Sequence, residues 1–528
     1  MTRPGSCPPP WVQPLGGSEQ PAWPSTAGTE STGLNQGAMW LALDGELESR
    51  AMQEQIVTQL RAIVGPDGIL TDPAALLAYE SDGLTLKRHR PELVLLPRDT
   101  GETAQCMRVL HEYGIPLVPR GAGTGLSGGA TPVPNGVLVG TARMRDVLEL
   151  NVEDRFARVQ AGVVNVDLTR CCDDDGLFYA PDPSSQMACT IGGNVAENSG
   201  GPHCFKYGST TRHILGLVIV TATGEVLRLD ESEVDPDGFD LVGLFVGSEG
   251  MFGVATEITV RLTPIPPVTE TLLAIFKALD PCCDAVSDLI AARLEPSAIE
   301  ILDKLTIQAV EASVFAAGYP QEAEAVLLLE VEGREAAVED TVERMLPILE
   351  AHGLLEVRRA RDAGERRKLW AGRKGAFGAM GRIAPDLYVA DVVVPRTRLR
   401  EIVRYATDVC TERNLKISNV FHAGDGNLHP NISYDRRDEE EVARVLEAGD
   451  LIMEACIEYG GSLSGEHGVG LEKQAMMSRL FTPDDLSVME RVRRCLDPDM
   501  RLNPGKMFPV RSCKEVRPRL AGSSGESV

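Results

Sequence analysis

Apolar and polar positions along the chain set out a series of short elements, not one long regular repeat. Residues 54–64 alternate at helical spacing and stop at Gly65-Pro66, which predicts a short amphipathic helix. Residues 92–97 read as a buried strand, and Thr100 is predicted to cap a helix that runs to Tyr113 and ends at Gly114. Strands follow at 116–118 and 137–141, a strand pair at 147–151 and 157–161, and a helix at 166–175. Residues 217–221 and 225–229 predict a hairpin turning at Thr223-Gly224. Short strands mixed with few helices give an α+β class and no regular βαβ series. The run Thr263-Pro264-Ile265-Pro266-Pro267 marks a boundary. Beyond it a strand at 323–331 and a helix at 334–351 predict a second α+β domain, and no internal repeat is visible.

The ends differ from this pattern. Residues 1–50 are rich in Pro, Gly, Ser and Thr and are expected to form a disordered extension, with Met39 or Met52 as alternative starts. Residues 509–528 are expected to be a flexible tail, whose basic stretch 511–519 reads as a solvated end. The expected domains are therefore 87–266 and 267–508.

With 528 residues the chain can bury large cores, and 43% hydrophobic with 24% charged residues is ordinary for a globular protein. A formal net charge of −25 argues against nucleic acid and against electrostatic adhesion to anionic lipid. No apolar run approaches the roughly 18–20 residues a bilayer span needs. The N-terminus lacks the apolar core of a signal peptide, so a cytoplasmic location is expected. The 12 cysteines include no C-x-x-C, which argues against a zinc ribbon or an iron–sulfur site and for reduced thiols.

The chemistry starts in the loop Val118-Pro119-Arg120-Gly121-Ala122-Gly123-Thr124-Gly125-Leu126-Ser127-Gly128-Gly129. Such a loop presents successive backbone N–H groups with no Cβ in the way, which suits a pyrophosphate. It contains a literal G-x-G-x-x-G, but the sequel, with Pro132, Pro134, Gly129 and Gly136, cannot open the helix that a Rossmann site requires. The ligand expected is a pyrophosphate cofactor held by a loop between strands. Three later stretches belong with it: Pro181-Asp182-Pro183-Ser184-Ser185, the glycine-rich run 189–201, and Gly247-Ser248-Glu249-Gly250-Met251-Phe252-Gly253. Together they predict a large flat cofactor touched by backbone along its length.

A second constellation is His422-Ala423-Gly424-Asp425-Gly426-Asn427-Leu428-His429 followed by Ser464-Gly465-Glu466-His467-Gly468. Gly424 and Gly426 argue against a helix, so a glycine-shaped loop is expected to fold both imidazoles toward one point. On a strand Glu466 and His467 would face opposite sides, whereas in a turn both can reach one site. Two imidazoles and a carboxylate suit an open site for Zn, Mn or Fe; three structural histidines are the plain alternative.

The order of these segments resembles the FAD domain of the vanillyl-alcohol oxidase, or PCMH-type, family over about residues 87–266. The later motifs resemble its metal-containing D-2-hydroxy-acid dehydrogenase branch. Within that branch, W-A-G-R-K, F-H-A-G-D-G-N-L-H-P, G-E-H-G-V-G and N-P-G-K are most similar to the flavin-bearing-subunit family of bacterial glycolate oxidases. The resemblance implies a PCMH-type FAD domain and a C-terminal α+β cap domain. FAD contacts are expected at Pro119, Arg120, Gly121, Ala122, Gly123, Thr124, Gly125, Ser127, Pro181, Asp182, Thr190, Gly192, Gly193, Asn194, Asn198, Gly200, Glu249, Gly250, Gly253, Val254 and Asn503. The first loop has no His or Cys, so the FAD is expected to be non-covalent. The resemblance further implies a divalent metal, zinc or manganese ahead of iron, on His422, His429 and Glu466. It makes His467 the base, Arg373 the reader of the substrate carboxylate, and Asn431 a residue lining the substrate site.

The implied reaction is oxidation of a small D-2-hydroxy acid, glycolate or D-lactate. The segment Leu387-Tyr388-Val389-Ala390-Asp391 lacks a lysine that 2-hydroxyglutarate dehydrogenases carry there, which favours a monocarboxylate. Partners implied are a second flavin subunit and an iron–sulfur subunit, which would place the chain at the inner membrane face without insertion. A stand-alone D-lactate dehydrogenase and a non-catalytic FAD relay subunit remain the alternatives.

Overall fold

The computed structural model describes residues 46–229 and 238–509. The expected tail beyond 509 and the greater part of the expected extension, residues 1–45, lie outside them. The first helix is Glu46–Val64, eight residues longer at its start than the apolar spacing indicated. It buries Ile56, Leu60 and Val64 against the helix Thr100–Glu112 and the first sheet. That second helix is capped by Asp99, whose carboxylate accepts the Glu102 N–H at 2.8 Å, and not by Thr100, which is its first residue. The helix expected at 166–175 is Asn165–Cys172 with one tighter turn, Asp173–Asp175, after it.

The N-terminal part holds two sheets. One is a four-stranded sheet in which Val137–Gly140 lies between Leu93–Leu95 and Leu117–Arg120, parallel to both. The helix Thr100–Glu112 is the crossover between the outer two, so one parallel unit stands where no βαβ series was expected. The glycine-rich loop joins two neighbouring parallel strands, Leu117–Arg120 and Val137–Gly140, without a helix, as its prolines require. The second sheet is antiparallel, ordered Val147–Asn151, Phe156–Gln160, Val254–Arg261, Ile214–Val220, Val226–Leu229, and contains the expected hairpin.

The C-terminal part is built on one large mixed-length sheet. Its central strands, Val268–Phe276, Ala298–Asp303 and Ala325–Gly333, are buried on both faces. Alternate residues therefore pack into two separate cores: Leu272, Ala274 and Phe276 on one side, Leu273 and Ile275 on the other. The helix Ala363–Ala379 covers the second face and presents Leu369, Trp370, Arg373 and Ala376 to it at helical spacing. The chain then returns. Leu502 bridges Leu117 in the first sheet, and the Asn503 N–H donates to Leu117 O at 2.8 Å.

Candidate active site

A cavity of about 970 Å³ runs between the two parts. One end is lined by Pro119, Arg120, Gly121, Ala122, Gly123, Thr124 and Gly125, the other by Arg373, His429, Asn431, Glu466 and His467. Thr190, Gly192, Gly193, Asn194, Gly200, Glu249, Gly250, Gly253 and Val254 also line it.

The glycine loop is shaped for close approach. Gly123 has φ +72°, and a Cβ there would fall onto the Arg120 guanidinium. Arg120 is itself buried and donates from Nη1 to Ser81 O at 2.9 Å and to Ala130 O at 3.2 Å, tying the two ends of the loop together. The second glycine stretch is a short helix, Ile191–Glu197, capped by the Thr190 hydroxyl, which accepts the Gly193 N–H at 3.2 Å. Asn194 Nδ2 and Thr141 Oγ1 line this cavity and are buried without a hydrogen-bond partner among the described residues. Orphaned buried polar atoms on a cavity wall mark a wall built for a polar ligand.

Five residues expected at the cofactor have other work. The Ser127 carbonyl accepts the N–H groups of Leu471 and Glu472. The Pro181 carbonyl accepts Asn165 Nδ2 at 2.9 Å, and Asn198 Oδ1 accepts the Thr211 N–H at 2.9 Å. Asn503 Nδ2 donates to both Gly129 O and Glu249 O, stapling two loops that line the cavity. Asp182 lies between His203 Nδ1 at 2.9 Å and Lys374 Nζ at 3.0 Å. Burial would raise its carboxyl, but Lys374 and His203 hold it well below the usual range. His203 also meets Glu330 at 3.1 Å, and burial notwithstanding these two carboxylates push its imidazole up to about 10. Asp182 thus locks the two parts together. Glu249 does line the cavity, but its carboxylate accepts the N–H groups of Val469 at 2.7 Å and Gly470 at 2.8 Å.

At the other end the sheet register does the assembling. Glu300 and His422 are directly paired on neighbouring antiparallel strands, so their side chains share one face. Glu300 Oε1 lies 2.7 Å from His422 Nδ1, and Glu300 Oε2 accepts from Arg373 Nε at 2.6 Å. His422 ends the strand Lys416–His422, and a turn at Gly424–Gly426 brings the chain back so that His429 stands beside it. Their rings are 5.1 Å apart and perpendicular. Glu466 Oε1 sits 3.3 Å from His422 Nε2 and 3.2 Å from His429 Nε2. One ligand atom from each of the three lies within 4.8 Å of the others.

Acids and bases are interleaved here. Against the cost of burial, Glu300 and Glu466 push His422 well above its ordinary range. Burial alone would raise Glu466, but His422 and His429 hold it well below. Asp425, also in this pocket of acids, is pushed up to about 6 by burial. His467 stacks on His429 with ring centroids 5.1 Å apart, and burial pushes its imidazole down to about 4. Burial thus favours its neutral form. Arg373 is buried and lines the cavity, with Glu300 occupying its Nε edge.

The sequence reading missed Glu300, Glu330 and Asp391. Each is an acid inside an apolar strand-like run (Ala298–Asp303, Ala325–Gly333 and the segment 386–394), and a buried acid must be paired. That signal was present.

Comparison with known proteins agrees with this geometry. Residues 91–230 match the FAD binding domain family, and residues 265–507 match the FAD linked oxidases, C-terminal domain family. The chain is 46% identical to glycolate oxidase subunit GlcD of Escherichia coli strain K12, covering 89% of this chain and 93% of that one. It is 37% identical to GlcD of Bacillus subtilis, covering 88% and 98%. It is 33% identical to a D-lactate dehydrogenase of Anaerostipes hadrus, covering 79% and 90%. Among solved structures, p-cresol methylhydroxylase superposes with TM-score 0.74 at 17% identity, covering 88% of this chain and 98% of that one, which establishes the fold alone.

Gly123→Val is expected to abolish most flavin binding, because a branched side chain collides with Arg120 in a backbone conformation that favours glycine. Flavin released by acid precipitation of the purified variant measures this; wild-type yield would contradict it.

Proposed function

This chain belongs to the FAD-linked oxidase family and carries out FAD-dependent oxidation of small hydroxy acids; we propose that its substrate is a D-2-hydroxy monocarboxylate, glycolate or D-lactate. The observation that carries this reading is the single cavity that joins the glycine loop to His467, Arg373 and Glu466. The FAD sits non-covalently along Gly121–Gly125, Thr190–Asn194 and Gly250–Val254. His203, which also lines the cavity, has both ring nitrogens engaged by carboxylates.

When bound, FAD supplies the two-electron acceptor, and a divalent metal, zinc or manganese ahead of iron, supplies Lewis-acid charge at the substrate hydroxyl. The donor set fits such an ion. His422 and His429 each turn Nε2 toward Glu466, and Glu300 holds Nδ1 of His422, the usual support for a ligating imidazole. His467 takes the hydroxyl proton on its neutral imidazole. Arg373, steadied by Glu300 on one edge, offers the rest of its guanidinium to the carboxylate. Asn431 lines the same end and pairs in register with Val389, and Val389 and Val420 give that wall an apolar character that suits a monocarboxylate.

Arg373→Lys is expected to raise KM for the hydroxy acid by about one to two orders of magnitude, because a lysine cannot hold Glu300 and a carboxylate in the same plane. Steady-state kinetics give the answer, and an unchanged KM moves the role to another cation.

Electrons pass to a partner: we place this chain with a second flavin subunit and an iron–sulfur subunit in a glycolate oxidase complex, since its relatives include subunits of that name. No helix of the described residues is long and apolar enough to cross a membrane; we place association with the inner membrane face in those subunits. Turnover of glycolate and of D-lactate with an artificial electron-accepting dye tests the reading. Activity on either supports it, and activity on neither overturns it.

A further inference from the structure

The loop 464–470 carries both Glu466 and His467 and has no regular secondary structure of its own. Its shape is set from one side by a single carboxylate. Asp391, fully buried just after the strand Asp386–Val389, accepts the Ser464 hydroxyl at 2.6 Å and the backbone N–H groups of Gly465 at 3.0 Å, Glu466 at 3.2 Å and His467 at 2.9 Å. Behind it Lys473 Nζ, also fully buried, lies 3.1 Å from Oδ2 and donates as well to the carbonyls of Asp391 and Gly468. Successive N–H groups converging on one anion fix the backbone dihedrals between them.

We propose that Asp391 is the positioning residue of the active site, holding the turn that aims the Glu466 carboxylate and the His467 imidazole at the same point. The inference rests on the ligand and base roles given to those two residues above. Asp391 acts through the backbone of the loop, and its Oδ1 also lies 3.9 Å from Nδ1 of His429, behind that imidazole. The Ser464 hydroxyl closes the turn by accepting the Gly468 N–H at 2.9 Å while donating to Asp391. An amide at position 391 would direct its NH₂ at donors and so release part of the turn.

Three variants of the full-length holoprotein separate positioning from simple pairing with Lys473. Asp391→Asn removes the anion and leaves a buried ammonium, so it is expected to lower Tm as well as function. Asp391→Asn with Lys473→Met removes both charges. If the pair alone mattered, this double variant would recover Tm, metal affinity and kcat together. Positioning predicts that Tm recovers while metal affinity stays weaker by about 10–100-fold, the usual effect of losing a support behind the ligands. Lys473→Met alone is the third arm.

Amide hydrogen exchange gives a readout independent of turnover. The peptide spanning 464–468 is expected to exchange faster in both Asp391 variants than in wild type. Unchanged exchange there, or recovery of metal affinity with Tm in the double variant, overturns the proposal. Faster exchange with metal affinity and kcat at wild-type values likewise overturns it, whereas a wild-type protein that binds no metal overturns instead the ligand role of Glu466.

Discussion

His467→Asn is expected to keep its FAD and its metal and to lose roughly 10²–10⁴-fold in kcat, the usual worth of a positioned general base. The structure sharpens why the loss falls on rate. The His467 backbone N–H, not its ring, holds the loop through Asp391, so the shape of the turn survives the substitution. Nδ1 of the ring has no hydrogen-bond partner among the described residues, so no buried partner is stranded when the ring is replaced. Stacking on His429 is lost, at modest cost. Rapid-quench or steady-state kinetics beside metal and flavin analysis of the same preparation decide the matter. A variant that turns over normally would remove His467 from the chemistry.

His422→Ala is expected to behave differently, losing metal and activity together. Its imidazole is one of three ligand atoms within 4.8 Å, and an open His/His/Glu set has no spare ligand to replace it. The substitution also leaves Glu300 buried with Arg373 as its remaining side-chain partner among the described residues, which adds a cost in stability. Added metal should restore activity only in part. Chelation of the wild type should mimic this variant and not His467→Asn, with metal content measured directly. If His467→Asn loses metal and His422→Ala retains it, the ligand and the base have been exchanged.

Some of this is legible in the sequence alone. The glycine loop announced itself by composition, and the prolines after it correctly excluded a helix at that place. The α+β class and the C-terminal cap followed from short elements and from motif resemblance. The two imidazoles stand together because Gly424 and Gly426 allow a tight return, which the spacing had implied.

What stayed hidden was whatever depends on register between distant strands. Glu300 is 122 residues from His422, and only their pairing across the sheet joins them. Asp391 is 76 residues from His467 and reads in sequence as one acid in an apolar run. Motif transfer also named Asp182 and Asn503 at the cofactor; the fold adds that their side chains hold loops and parts of the fold together. A motif marks a place in the fold and does not tell which atom of it meets the ligand. At Asp99 and Thr100 the error was smaller: either can cap a helix, and the extended backbone at Asp99 decided between them.

The central claim is that one cavity brings a small 2-hydroxy acid, His467 and the FAD together, and anaerobic mixing of the FAD-loaded protein with glycolate or D-lactate tests it most directly, because no partner or acceptor takes part. Rapid loss of the oxidised flavin absorbance in the wild type, slowed roughly 10²–10⁴-fold in His467→Asn, is the result predicted. Flavin that stays oxidised with both acids, or that is reduced equally fast in the variant, would contradict it.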